Sequence, residues 1–430
     1  MTEYGLILAG GGARGSYQLG VWKALQEMNI KIAAVAGTSV GAINGAIFAQ
    51  KDFELAKRVW ENIDYDVIFD FALFDAEKRS KMSFQEKIDY VKNIIKNRGL
   101  DTHALKVLLS QNIDEEKIRK SDIFYGLVTF SLTDMKPIVK YIDEIPEGKL
   151  VEYIMASAAF PLFQDHIVDD KLYVDGGVYD NVPVSVLADK GFKNLIVVDL
   201  SAIGRVKKVD TEGLNIITVK NTNPGGVLQF EKEQVHTNMK TGYLDTLKAF
   251  GMVKGIRYYL SYHEDSFSGW YEIPKQEEYG RWMTDMEMVN RQGKPDGFMI
   301  YRMLRRLKNY CGTNFDEVSG FVAAMEITAD ILKVDRLKVY TIPTLADAIL
   351  GKYKEVIQDT SDDNPMKEIA DLLWKPKKVG KYRRQSLKSI IMEKMDSGKQ
   401  KILFTGNPDL LIANLFLYML LFRRKDRESV

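Results

Sequence analysis

Gly37-Thr38-Ser39-Val40-Gly41 follows the apolar run Ile32-Ala33-Ala34-Val35-Ala36 and leads into the small-residue stretch Ala42-Ile43-Asn44-Gly45-Ala46-Ile47. The order reads as strand, tight turn, helix, with a serine at the apex. So sharp a turn forces unusual backbone angles on the serine. It also crowds the residues two before and two after, and glycine stands at both places. The hydroxyl is held outside a strand end and at a helix start, where the helix dipole favours the negative charge of acyl transfer. A bare G-x-S-x-G match is a moderate signal, since most serines between glycines are turn residues. The strand before it and the helix after it strengthen the reading.

Upstream, residues 4–9, with Gly5-Leu6-Ile7-Leu8 inside, read as a buried first strand. A glycine-rich turn follows, Gly10-Gly11-Gly12-Ala13-Arg14-Gly15, and then a helix over residues 16–28. The first 50 residues are therefore strand-turn-helix twice over, the sign of a parallel sheet covered by helices. Helices are expected over 52–62, 84–97, 104–110, 115–120, 150–159 and 184–190, and strands over 123–132, 137–142, 195–200 and 214–219. Val168 and Leu172-Tyr173-Val174 flank a hairpin turn at Asp169-Asp170. Helical patterning runs over 227–250. Beyond it the β-branched runs give way to tyrosine, methionine and basic residues, so the expected division is 1–250, an α/β domain, and 251–430, a mostly helical accessory region with a loop over 359–365.

A chain of 430 residues exceeds what one compact core usually holds, which makes two domains the default. Sixty basic against 59 acidic residues gives no global push toward nucleic acid. The single cysteine, Cys311, makes no internal disulfide and no cysteine-rich metal site, and it fits a reducing compartment. Met1-Thr2-Glu3-Tyr4 lacks the basic start and long apolar core of a signal peptide. The longest apolar run, residues 410–422, has 13 residues with Asn414 inside, against the roughly 20 of a spanning helix. The expectation is a cytoplasmic protein that touches the inner face of a membrane without crossing it.

Three pieces carry the chemistry. The segment from Gly10 to Gly15 matches G-x-G-x-x-G between a strand and a helix, a dinucleotide fingerprint. That reading wants an acid at the end of the second strand, which instead ends Ala36-Gly37-Thr38-Ser39. The other reading is an oxyanion hole, because consecutive glycines leave amides free to converge on one developing charge. Arg14 would add a fixed positive charge or brace the loop. The second piece is Ser39. The third is Asp175-Gly176-Gly177, directly after Leu172-Tyr173-Val174. Aspartate before two glycines is most often a turn, but a serine nucleophile needs a base. Of the four histidines, His103, His166, His236 and His263, only His236 and His263 follow Asp175 in the usual hydrolase order of acid, then histidine. The simpler arrangement is a dyad in which Asp175 takes the Ser39 proton directly. At a free pKa of about 3.9 an aspartate suits that task poorly in water; a dry pocket and a short bond to the serine would improve it.

With these pieces in order, the chain resembles the patatin-like phospholipase family. The glycine loop, the elbow and Asp175-Gly176-Gly177 match its motifs, as do Ala156-Ser157-Ala158-Ala159-Phe160-Pro161 and Asp180-Asn181-Val182-Pro183. The match runs from Tyr4 to Leu200 and continues weakly through Pro224-Gly225-Gly226. The resemblance implies an α/β/α sandwich with a mostly parallel central sheet. It implies a Ser39–Asp175 dyad with no histidine, metal or cofactor. Ser39 is then the nucleophile and Asp175 the proton acceptor. Gly10, Gly11, Gly12, Arg14 and Gly15 form the oxyanion loop, Gly37 and Gly41 the elbow, and Gly176 and Gly177 complete the aspartate motif. Family members are typically calcium-independent hydrolases of lipid esters, so a phospholipid or another lipid ester is the expected substrate. The reading from another class is a lipid-binding or membrane-scaffolding protein on the same fold, with incidental esterase activity. Neither head group nor oligomeric state is legible.

Residues 375–388 hold seven basic residues and no acid, with Trp374 and Tyr382 interleaved, and Arg423-Arg424-Lys425 follows the apolar run of 410–422. Basic beside apolar residues suit an anionic bilayer surface. The competing reading is a core helix with a solvated basic edge. No motif for nucleic acid accompanies the charge.

Overall fold

A computed structural model of the chain describes residues 2–63, 102–159, 166–221, 225–263, 267, 297–313, 315–358 and 407–428. The chain divides into two compact units, Met1–Gly251 and Met252–Val430. The expected helix over 84–97, the aromatic stretch 69–74, Phe160-Pro161, Pro224, the loop over 359–365 and the basic stretch 375–388 lie outside the described residues.

The first unit is an α/β assembly on an eight-stranded sheet. Its elements in chain order are β1 (Glu3–Leu8), α1 (Ser16–Glu27), β2 (Lys31–Thr38), α2 (Val40–Ala49), α3 (Phe53–Asn62), α4 (His103–Asn112) and α5 (Glu115–Arg119). They continue with β3 (Phe124–Ser131), β4 (Lys136–Tyr141), α6 (Leu150–Ser157), β5 (His166–Val168), β6 (Lys171–Asp175), α7 (Val184–Ala188), β7 (Asn194–Asp199), β8 (Asn215–Lys220) and α8 (Lys232–Ala249). The sheet order is β5-β6-β3-β2-β1-β7-β8, with β4 on β3. The run β3-β2-β1-β7-β8 is parallel, whereas β4, β5 and β6 join antiparallel.

The central strands are apolar on both faces because both faces are covered. Leu6, Ile7 and Leu8 are all buried. Alternation along the strands sorts the helices. Tyr125 of β3 donates its hydroxyl to the Ala42 carbonyl of α2, while the next residue, Gly126, backs onto Val186 of α7. Leu8 of β1 approaches Gly45 of α2, and Gly5 approaches Leu187 of α7. Thus α2 and α7 lie on opposite faces of one sheet, the layered arrangement that the strand-turn-helix repeats predict.

The register of β3 positions the chemistry. Thr38, the last residue of β2, pairs with Val128, and Asp175, the last residue of β6, pairs with the adjacent Thr129. Leu8 at the end of β1 pairs with Gly37. The elbow, the aspartate and the glycine loop therefore leave the sheet at one level, at the carboxyl ends of parallel strands where α/β sheets keep their binding crevices.

Helix α8 begins at Lys232, not at Val227 as the patterning suggests. The carbonyl of Val227 instead accepts the Ala13 amide at 2.8 Å, which commits this stretch to the glycine loop.

The second unit has helices α9 (Gly297–Cys311), α10 (Glu317–Ile331), α11 (Ile342–Gln358) and α12 (Pro408–Glu428). It also has a small parallel pair that the helical expectation omits, β9 (Tyr259–Leu260) and β10 (Val339–Tyr340). Helix α12 carries the apolar run proposed for a bilayer. Leu411, Ile412, Ala413, Phe416, Leu417 and Leu420 are all buried, packed within this unit. The burial of these side chains fits the core-helix reading of that run. Among the described residues no helix is long and apolar enough to cross a membrane.

Candidate active site

Ser39 stands between β2 and α2 with φ 56° and ψ −127°, a positive-φ conformation that costs a non-glycine residue about 1–3 kcal/mol. The elbow is as crowded as its spacing implies. A Cβ on Gly37 would sit 2.1 Å from the Gly41 carbonyl oxygen, and one on Gly41 would sit 2.1 Å from the Leu8 carbonyl oxygen. The Ser39 amide donates to Ser157 Oγ at 3.0 Å, and that hydroxyl donates to the Val128 carbonyl at 2.6 Å.

Asp175 is buried at the end of β6, and its amide donates to the Ala159 carbonyl at 2.7 Å. Its Oδ1 accepts the Gly177 amide at 2.7 Å, and the Ser39 side chain lies close enough to this carboxylate to favour its charged form. Burial pushes this carboxyl up to about 6, with Ser39 and the Gly177 amide acting in the opposite direction. Burial thus supplies the dry setting in which an aspartate becomes basic enough to accept a proton near neutral pH.

The residues predicted for the oxyanion loop separate into two groups. Gly11 and Gly12 line the cavity beside Ser39. Neither amide has an acceptor among the described residues. Gly12 has φ 56°, and a Cβ there would meet the Val227 carbonyl oxygen at 2.3 Å. Gly10, Arg14 and Gly15 do not line the cavity. The Gly10 amide is already given to the Asn181 carbonyl at 3.1 Å. Arg14 reaches away to the carbonyls of Gly225 (3.0 Å), Ser201 (2.7 Å) and Leu200 (3.4 Å). Of the two roles open to it from sequence, these bonds fit the bracing one.

A buried polar network behind the loop has no sequence signature. Asn44 on α2 donates to the Gly15 carbonyl at 3.0 Å and to Gln18 Oε1 at 2.8 Å, and it accepts from Trp60 Nε1 at 3.0 Å. Gln18 in turn donates to the Ala9 carbonyl at 2.8 Å. Asn181 donates to the Gly10 carbonyl at 3.3 Å. The glycine loop is therefore tied to α1, α2 and α3 by side chains that nothing in their immediate neighbourhood singles out.

Ser39, Asp175, Gly11 and Gly12 open onto a cavity of about 620 Å³. Its wall is mostly apolar, with Ile43, Ile47, Trp60, Leu105, Leu109 and Phe230 among the lining residues. A pocket of this size with few polar groups suits an apolar ligand held at one polar point. None of the four histidines lines it. His166 Nε2 lies 2.9 Å from the Glu152 carbonyl. Among the described residues no cluster of three or more His, Cys, Asp or Glu could hold a metal ion.

The family model for patatin-like phospholipases matches residues 6–188. A lysophospholipase NTE1 from Kluyveromyces lactis is 26% identical over 258 residues, 58% of this chain and 16% of that protein. Patatin-like phospholipase domain-containing protein 7 from Rattus norvegicus is 28% identical over 207 residues, 46% of this chain and 13% of that protein. The chain thus spans less than a fifth of the length of these curated relatives. Among solved structures, VipD from Legionella pneumophila aligns over 97% of this chain and 91% of its own, at 14% identity and a TM-score of 0.37.

Proposed function

We propose, starting from the patatin-like phospholipase domain in residues 6–188, that this chain is a serine lipid acyl hydrolase of the phospholipase A or lysophospholipase kind, working through a Ser39–Asp175 dyad. The observation that carries the reading is Ser39 on its strained elbow beside the buried Asp175, both lining one apolar cavity.

The chemistry follows from the geometry. An acyl chain lies along the apolar wall and brings its ester carbonyl to Ser39. Ser39 Oγ attacks the carbonyl carbon as its proton passes to Asp175. The negative charge forming on the carbonyl oxygen is met by the Gly11 and Gly12 amides and by the start of α2, each such donor being worth about 10² to 10³ in rate. Collapse expels the alcohol, which takes the proton from Asp175, and leaves an acyl-serine. Water then gives a proton to Asp175 and attacks the acyl carbon. Fatty acid leaves, and the proton returns to Ser39.

The test is fatty-acid release from phospholipid and lysophospholipid in EDTA, with parallel labelling by a fluorophosphonate. Wild type should release fatty acid and label. Ser39→Ala should do neither, and Asp175→Asn should lose turnover. Hydrolysis by Ser39→Ala at the wild-type rate would overturn the proposal.

A further inference from the structure

Residues 200–209 leave the end of β7 on the way to the edge strand β8, and they contain Arg205, Lys207 and Lys208 with no acid. Ala202, Ile203, Gly204 and Arg205 line the active-site cavity. The stretch also points outward. Ile203 is fully exposed, and Val206, Arg205, Lys207 and Lys208 are exposed beside it. Val178, which follows Asp175-Gly176-Gly177, is a further exposed aliphatic residue on the cavity wall. A fully exposed isoleucine and two largely exposed valines beside basic residues, on segments that line an apolar cavity, mark a surface built to meet more than solvent.

The backbone of this segment is fixed. The Arg205 amide donates to the Gly177 carbonyl at 3.0 Å, and the Arg205 carbonyl accepts the Asn181 amide at 2.6 Å. The Lys207 amide donates to the buried Asp180 carboxylate at 3.3 Å. Arg14 holds the Leu200 and Ser201 carbonyls from the other side. The cations and aliphatic groups are therefore held at the rim by the same segments that carry Asp175 and the glycine loop.

We infer that residues 203–208, with Val178, form the docking rim by which this catalytic unit seats on an anionic lipid surface. Ile203, Val206 and Val178 enter the acyl boundary, while Arg205, Lys207 and Lys208 pair with phosphate-bearing head groups. The combination of basic and aliphatic residues is what such an interface selects. Placed here, docking delivers a lipid tail straight into the cavity, and it needs nothing from α12, whose apolar face is occupied. The inference rests on the hydrolase reading for its purpose but not for its measurement.

The experiment is vesicle flotation of the full chain, with phosphatidylcholine alone and with phosphatidylglycerol added. Val206→Ser/Lys208→Glu is the variant, since neither residue lines the cavity. Wild type should float with the anionic vesicles, and raised salt should weaken it. The variant should bind at least tenfold more weakly, because each unit of charge near an anionic surface is worth roughly fivefold in binding. Where esterase activity is present, the ratio of vesicle turnover to turnover of a water-soluble short-chain ester should fall with it. Equal flotation of wild type and variant, equal binding to both vesicle types, or no flotation of wild type would each overturn the inference. Flotation without hydrolysis of any ester would sink the hydrolase reading and leave the docking rim standing. Labelling by a fluorophosphonate in the variant reports that the elbow is intact.

Discussion

Ser157 Oγ joins Ser39 to the sheet: it accepts the Ser39 amide at 3.0 Å and donates to Val128 at 2.6 Å. Val128 is also the register partner of Thr38. One hydroxyl on α6 thus ties the strained apex of the elbow to the strand that aligns Ser39 with Asp175. Ser157→Ala leaves a buried carbonyl unsatisfied and frees the Ser39 amide. It should cost about 1–3 kcal/mol in stability. Turnover should fall roughly tenfold or more through a misaimed hydroxyl, given how steeply rate depends on placement. Denaturant unfolding and kcat measured together check this, and an unchanged kcat would show that Ser157 does not position the elbow.

Asp175 couples activity and stability in opposite directions. In its proposed role as proton acceptor it must be ionised, so kcat/KM should climb as pH rises through about 6. Because burial raises its pKa, the folded state binds this proton more tightly than the unfolded chain does. Its contribution to stability is therefore fully present below about 4 and lost as pH rises through about 6. Asp175→Asn keeps an acceptor for the Gly177 amide and removes the buried charge. It should abolish turnover yet stabilise the fold by up to about 3 kcal/mol at neutral pH, and by little at pH 4. Thermal unfolding of both proteins across that range is the measurement. A variant less stable than wild type at neutral pH would mean that the carboxylate is a structural anchor.

Much of this arrangement is legible in the chain because it is local. An apolar run, two glycines four apart and a small-residue helix define the elbow within residues 32–47, and β1 with its glycine turn is equally compact. The unread parts are long-range. Asn44, Gln18 and Trp60 meet only after three helices have packed, and Val227 serves the glycine loop from beyond β8. In the second unit Glu326 is fully buried and accepts the amides of Ile256, Arg257 and Tyr258 from a turn distant in sequence. Its neighbours Met325, Ile327 and Thr328 are buried as well, and partners 68 to 70 residues upstream leave no local pattern to read. The two-residue strands β9 and β10 are too short for any periodicity to register.

Arg14 shows why residue type alone leaves a role open. Its guanidinium spans the carbonyls of Gly225, Ser201 and Leu200, a fork that a lysine cannot reproduce. Arg14→Lys keeps the charge and loses the geometry, so it should lose nearly as much activity and stability as Arg14→Ala. We expect losses of about 1–3 kcal/mol in folding for both, in line with broken hydrogen bonds to a charged group. Recovery of most of the rate in Arg14→Lys would instead assign the residue to charge stabilisation of the reacting oxygen.

Chain-length preference should be set by the cavity wall. Ile43 follows the elbow by one turn of α2, and it is half-buried and lines the cavity. Ile43→Trp adds bulk to that wall and leaves Ser39, Asp175 and the glycine loop unsubstituted. A long acyl chain must then bend or stay partly in water, forfeiting roughly 0.8 kcal/mol for each methylene left unburied. A butyryl ester needs only the space next to Ser39 and loses little. The ratio of kcat/KM for long over short esters should therefore fall about tenfold or more, since two lost methylenes already exceed one factor of ten in rate. Equal losses for both chain lengths would mean that the substitution disturbs the elbow. An unchanged ratio would mean that the acyl chain takes another path, and the assignment of the cavity to the acyl group would fall with it.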